Sequence, residues 1–98
     1  MNNKIYRQGD ILIVPVQELP KGLKEKDNVL ALGEQTGHSH IIEGAKVYSD
    51  ANGMQYLQIE KKAQLVHQEH KQIQIPKGQY QVKRQREYNP AANRMVMD

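Results

Sequence analysis

The sequence contains no cysteine, no phenylalanine and no tryptophan, and its aromatic side chains apart from histidine are five tyrosines. Without cysteine there is no disulfide and no thiolate ligand, so a transition-metal site would need His, Asp, Glu, backbone or water donors. Without Phe and Trp the core lacks its largest usual fillers. The 98 residues suffice for a single domain spanning 1–98 with a modest core. A bound metal or a homo-oligomer would add stability to such a core.

Long apolar runs are also absent. No segment approaches the length of a membrane span, and the first residues, MNNKIY, lack the apolar stretch of a secretion signal. We therefore expect a cytoplasmic protein, bacterial or phage in origin, with no membrane partner. The net charge of +3 favours solubility but is too small to indicate nucleic-acid binding by itself.

Short β-branched runs separated by turn signals predict an all-β fold. The clearest strand is DILIVPV at 10–16, where Pro15 indicates an edge position or a bulge. A solvated loop is predicted at 18–27, followed by an apolar run at 28–32. The DANG sequence at 50–53 predicts a β-hairpin between the flanking segments, because an Asn-Gly step tolerates positive φ.

The second half of the chain continues this alternation. Ala63, Leu65 and His67 alternate with Gln64 and Val66, which suggests another strand. Apolar residues alternate with polar ones at 73–75 and at 80–82, and PKG at 76–78 is predicted to turn the chain between these two segments. These segments bring the total to about seven or eight short strands, which favours a small β-barrel or sandwich. The residues from about Asn89 onward are expected to form a short helix or a loose tail.

All four histidines fall in two close pairs, HSH at 38–40 and HQEH at 67–70. Residues two apart on a strand point to the same face, so His38 and His40 could bind one ion. His67 and His70 are three apart and would need a bulge or a tight turn between them to converge. Imidazole nitrogens suit zinc, nickel, copper or iron rather than calcium or magnesium. The sequence therefore predicts a metal site with these four histidines as ligands.

Two glutamates lie close enough in sequence to take part. Glu69 or Glu43 could replace one histidine as a ligand. With three protein ligands the ion keeps an open position, and either glutamate could then act as a general base in a hydrolase or an oxygenase-like enzyme. Two alternatives remain open: histidines that only hydrogen-bond backbone at turns, and a metal-free catalytic or ligand-binding cluster.

The segment GEQTGHSHIIE, which ends at Glu43, resembles a shortened form of the first sequence motif of the cupins. In cupins, two histidines and a glutamate of this motif bind a metal on a β-barrel. The resemblance implies that role for His38, His40 and Glu43.

The whole-chain pattern is similar to that of small uncharacterised bacterial proteins with RQGD before an apolar strand, then TGHSH, HxEH and PxGxYxVxRQREY. Here these segments are residues 7–10, 36–40, 67–70 and 76–88. The similarity carries no activity with it. It implies that the histidines and the RQREY segment belong to one functional arrangement.

The densest basic stretch is KRQREY at 83–88. Strand alternation puts Arg84 and Arg86 on one face, where guanidinium groups can bind phosphate or carboxylate, and Tyr88 could stack on a base. This predicts, as an alternative function, a non-enzymatic binding or assembly module that contacts a protein or a nucleic acid. The simpler interpretation is that the arginines pair with acidic side chains or cover the rim of the fold.

Overall fold

The protein was analysed as a computed structural model that describes residues 4–32 and 38–84. Those residues form eight β-strands and no helix, and every strand pairing is antiparallel. The predicted all-β class is thereby confirmed. The strands are β1 Tyr6–Gln8, β2 Ile11–Val16, β3 Lys24–Lys26, β4 Val29–Leu32, β5 Ser39–Glu43, β6 Lys46–Ser49, β7 Gln55–Val66 and β8 Ile73–Arg84.

The strands form one sheet with the order β1-β2-β8-β7-β5-β4, to which β6 adds beside β7 and β3 beside β6. Among the described residues no backbone ladder joins β1 to β4, so the sheet is not closed into a barrel. Of the two predicted architectures, the sandwich-like one is therefore the one that remains. The tail predicted from Asn89 and the loop at 33–37 lie outside the described residues.

The long hairpin of β7 and β8 is the centre of the sheet, and the turn predicted at 76–78 was wrong. Pro76 and Gly78 lie inside β8, opposite a register shift in β7 between Ile59 and Lys62. The core-facing residue of β8 before the shift is Ile75, and those after it are Tyr80 and Val82, so the core-facing positions change from odd to even numbers. In the sequence, this break in alternation resembles a turn. Gly78, with φ of 153°, stands at the bend because a Cβ would lie 3.1 Å from the Tyr80 hydroxyl.

Two short strands, one hairpin turn and one proline can also be compared with the sequence predictions. The loop predicted at 18–27 contains β3, whose charged KEK sequence gave no strand signal, and β1 was not predicted at all. The hairpin at 50–53 is confirmed, since the Asp50 carboxylate accepts hydrogen bonds from the amides of Asn52 and Met54. Pro15 lies beyond the end of the β1–β2 ladder, where β2 has only β8 as a neighbour, as its missing N–H requires.

The core consists of alternate aliphatic residues from six strands and a single large ring. Tyr80 is 1% exposed, donates its hydroxyl proton to the carbonyl of Pro76, and packs edge-on against Tyr6. The other large side chains that are fully buried are those of Ile11, Ile13, Ile42, Leu57, Leu65 and Ile75. The described part of the chain has no helix that is long and apolar enough to cross a membrane.

The sheet curls strongly enough to bring β1 against β7, which is not its neighbour in the strand order. The evidence is Gln8, whose side-chain amide donates to the carbonyl oxygens of Leu65 in β7 and of Lys71, 3.0 Å from each. Gln8 is 3% exposed. Side-chain hydrogen bonds thus join the sheet where backbone pairing does not, and the four histidines lie at this junction.

Candidate functional site: a histidine cluster beside the β1–β2 turn

The four histidines, which we call the histidine cluster, come together from two segments of the chain. His38 precedes β5 and His40 lies within it, while His67 and His70 lie in the six-residue loop that joins β7 to β8. The ring of His67 is central, with its centroid 4.3 Å from that of His40, 4.5 Å from that of His70 and 5.6 Å from that of His38. The chain therefore leaves strand geometry at the second pair, as the spacing of His67 and His70 required.

Gln8 fixes the position of the proton on His40. The Gln8 Nε2 group donates to two backbone carbonyls, so its Oε1 atom is the one that faces His40 Nδ1, at 2.9 Å. An amide oxygen only accepts, so His40 Nδ1 must carry the proton and donate it. The other nitrogen of the neutral ring, Nε2, then has a free lone pair. This arrangement is typical of a metal-binding histidine, whose second nitrogen is held by a polar partner.

The loop at 67–72 is attached to β5 by polar contacts on the other side of the cluster. Gln68 Oε1 accepts a hydrogen bond from the Ser39 amide at 2.9 Å, and Glu69 Oε1 lies 3.4 Å from His38 Nδ1. At 3.4 Å the Glu69 carboxylate is within ion-pair distance of His38 Nδ1 but makes no hydrogen bond with it, so the tautomer of His38 is not fixed as that of His40 is.

His67 has the opposite arrangement. Its Nδ1 accepts a hydrogen bond of 3.0 Å from the backbone amide of Glu69, so in the neutral ring the proton is on Nε2. In the described part of the chain, no group of three or more His, Asp or Glu side chains holds the arrangement of a metal site as the rings stand. To coordinate an ion, His67 would have to give up the bond from Glu69, either to use Nδ1 itself or to move the proton there.

The turn between β1 and β2 closes the site from the third side. Gly9 has φ of 60°, and a Cβ on it would lie only 2.9 Å from His70 Nε2 and 3.4 Å from His40 Cε1. Gly9 is therefore required both by its left-handed conformation and by the closeness of the rings. The next residue, Asp10, lies with Oδ1 3.7 Å from His40 Nε2 and Oδ2 3.6 Å from Arg84 Nη2.

Two of the histidines are held in the neutral form. Burial, followed by the nearby ring of His67, lowers the pKa of His40 from 6.5 to about 4, against an opposing effect of Asp10. Burial and the neighbouring rings of His70 and His38 also lower the pKa of His67. Both rings are then neutral at pH 7, which is the state that binds metals.

The remaining predicted site residues are unequally placed. Arg84 lies at the site and is paired with Asp10, whereas Glu43 is exposed at the far end of β5, three residues from His40 and on the opposite face of the strand. Arg86 and Tyr88 lie outside the described residues.

Sequence reasoning did not select Gln8 and Asp10 as site residues. The signal for Gln8 was available, because a polar residue two positions after Tyr6 occupies a core-facing place on a strand. For Asp10 the only sign was its place after a glycine at the start of an apolar strand.

Fold and site together define an antiparallel all-β protein with a histidine cluster where the curled sheet meets itself. The chain belongs to the family described as a domain of unknown function, DUF8820, whose model matches residues 7–85. The matched range includes all four histidines together with Gln8, Asp10 and Arg84. No curated protein and no solved structure matches the chain.

Proposed function

We propose that this protein binds one divalent transition metal ion at the histidine cluster. The observation that carries the proposal is the convergence of all four histidines, from two distant segments, with neighbouring ring centroids 4.3 to 5.8 Å apart. Structural packing alone does not need polar rings there, because a partly exposed cluster of imidazoles buries little apolar surface. Nitrogen donors without thiolates favour zinc, nickel, copper or iron, and metal analysis of the purified protein would identify the ion.

The first pair carries the stronger part of the proposal. His40 has a hydrogen-bonding partner at Nδ1 and hence a lone pair at Nε2, and His38 has the Glu69 carboxylate 3.4 Å from its Nδ1. His67 and His70 supply further nitrogens once His67 gives up the amide of Glu69, which costs about 1 kcal/mol, the usual net worth of one hydrogen bond. This is small beside the binding energy of an ion held by three or four ligands.

A catalytic extension follows if one coordination position stays open for water or substrate. Glu69 is then the better candidate for a general base, since it contacts His38 and is well exposed, whereas Glu43 has no contact with the cluster among the described residues. Of the residues in the cupin-like segment, the proposal therefore uses His38 and His40 as ligands and gives no role to Glu43. Activity that survives metal removal would count against the extension.

The competing proposal is a binding or assembly module that uses Arg84, Arg86 and Tyr88. Its weakness is that the Arg84 side chain is only 22% exposed and directs Nη2 toward Asp10. Salt-sensitive binding of a nucleic acid or protein partner that is abolished by charge reversal at Arg86 would support this module. The same variant should leave metal binding unchanged.

The metal proposal is tested with protein that carries no histidine tag. After removal of bound metal with a chelator, Zn²⁺ titration by calorimetry should give one site per chain, and Co²⁺ should produce a visible absorption spectrum. His40→Ala and His67→Ala should each weaken Zn²⁺ binding by more than the roughly 10–100-fold typical of replacing a residue that only hydrogen-bonds to a ligand. Glu43→Gln, which removes a carboxylate outside the cluster, is the matched control and should bind normally. Zn²⁺ affinity that is unchanged in both histidine variants would refute the proposal.

A further inference from the structure

Asp10 and His40 face each other with two electron-rich atoms. Because Gln8 takes the Nδ1 proton of His40, the Nε2 atom presents a lone pair, and the atom opposite is the carboxylate oxygen Oδ1 of Asp10 at 3.7 Å. A cation bound between two such acceptors would replace their repulsion by attraction to the ion. A direct contact through a proton is not formed, because a charge-assisted hydrogen bond between nitrogen and oxygen is about 2.7–2.9 Å long.

The separation is close to that of two ligands on one metal ion. With bonds of about 2.0–2.2 Å and a tetrahedral angle, a nitrogen and an oxygen donor lie about 3.3–3.5 Å apart. The observed 3.7 Å needs only a small adjustment of the carboxylate to reach this value. The Gly9 backbone, which passes directly beside His70 Nε2 and His40 Cε1, keeps the Asp10 turn against the rings.

Building on the proposed function, we propose that Asp10 is a ligand of the same ion, bound through Oδ1, and that Arg84 positions it through Oδ2. The site is then a mixed one, with imidazole nitrogens and one carboxylate. Arg84 is a positioning residue, since its Nη2 lies 3.6 Å from Asp10 Oδ2 and its positive charge is not itself able to bind a metal cation.

This donor set determines which ions the site prefers. A carboxylate adds a hard oxygen and a negative charge, which strengthen the binding of Zn²⁺, Fe²⁺ and Mn²⁺. The soft ion Cu⁺ gains little affinity from such a ligand. Loss of Asp10 should therefore change the order of metal preference as well as the affinity. An arrangement of histidines alone would not respond in this way.

The test compares Asp10→Asn with Glu43→Gln, because each variant removes one carboxylate charge and only the first removes the proposed ligand. Asp10→Asn should weaken Zn²⁺ binding at least about 10-fold and shift the absorption bands of the Co²⁺-loaded protein, while Glu43→Gln does neither. Cu⁺ affinity, measured by competition with a chromophoric chelator, should change much less than Zn²⁺ affinity. Far-UV circular dichroism checks folding, and Asp10→Ser serves as a second variant if the first does not fold.

Arg84→Gln and Arg84→Lys test the positioning role. Arg84→Gln should alter the Co²⁺ bands, because the carboxylate loses its orienting partner, and Arg84→Lys should restore them in part. If wild-type protein binds Zn²⁺, His40→Ala abolishes binding and Asp10→Asn leaves affinity and Co²⁺ bands unchanged, the inference about Asp10 is refuted while the proposed function stands. Wild-type protein that binds neither ion refutes both.

Discussion

Gln8→Ala should destabilise the protein more than the replacement of any other glutamine in the described strands by alanine. The side chain makes three hydrogen bonds, to the carbonyls of Leu65 and Lys71 and to the His40 ring. At about 0.5–1.5 kcal/mol each, their loss costs about 3 kcal/mol, and carbonyls left buried without a donor would raise the figure. That is a large part of the roughly 5–15 kcal/mol by which a domain of this size is stable.

The assay is urea unfolding of metal-free protein, followed by far-UV circular dichroism. With a denaturant dependence of roughly 1–3 kcal/mol per molar urea, a loss of about 3 kcal/mol lowers the midpoint by at least about 1 M. Gln74→Ala, on an exposed position of β8, is the matched control and should change stability by less than about 0.5 kcal/mol. Equal midpoints for the Gln8 and Gln74 variants would refute the conclusion that Gln8 holds the curled sheet together.

Four further predictions follow. Metal-free protein should lose stability as the pH falls from 6.5 toward 4, by at most about 3 kcal/mol, because the unfolded chain protonates His40 before the folded one does. Urea midpoints measured against pH for wild type and His40→Leu test this. An equal dependence of the two midpoints on pH would contradict it. Gly9→Ala should impair both folding and Zn²⁺ binding, whereas Gly22→Ala, with φ of 79° and open space around it, should cost only about 1 kcal/mol of backbone strain. Zn²⁺ at 100 times its dissociation constant should stabilise the protein by about 2.7 kcal/mol, seen as a higher midpoint that a chelator reverses. Glu69→Gln should lower stability by less than about 1 kcal/mol, since this carboxylate is 66% exposed.

The sequence was sufficient to predict the all-β class, because β-branched alternation and turn residues are local signals. It also sufficed to bring the two histidine pairs together as a hypothesis. The ring centroids of His40 and His38 lie 4.3 and 5.6 Å from that of His67, although only His40 lies on β5 and His38 precedes it. The turn needed by the second pair lies where β7 ends at Val66 and the loop begins.

The sequence could not show which other residues complete the cluster. Gln8 and Asp10 meet the histidines only through long-range folding of the sheet. The register shift between Ile59 and Lys62 is one irregularity of that sheet, and its only trace in the sequence is a change of parity in the alternation of β8. When that change is interpreted as a turn, β8 is divided into two strands, although it is continuous from Ile73 to Arg84. The curl of a sheet depends on the sum of such irregularities, and local patterns do not determine it.

Gln8 links the stability of the fold to the chemistry of the cluster. The amide that joins β1 to Leu65 also fixes the proton of His40, so stability and metal affinity depend on one side chain. Asp10 lies in the adjoining turn and, in the proposed site, contacts the ion directly. Loss of Gln8 should therefore lower metal affinity and metal-free stability together, whereas Asp10→Asn should lower affinity and cost less metal-free stability than Gln8→Ala, since it weakens one ion pair with Arg84. If the two variants behave alike, the separation between the residue that shapes the site and the residue that binds the ion is wrong.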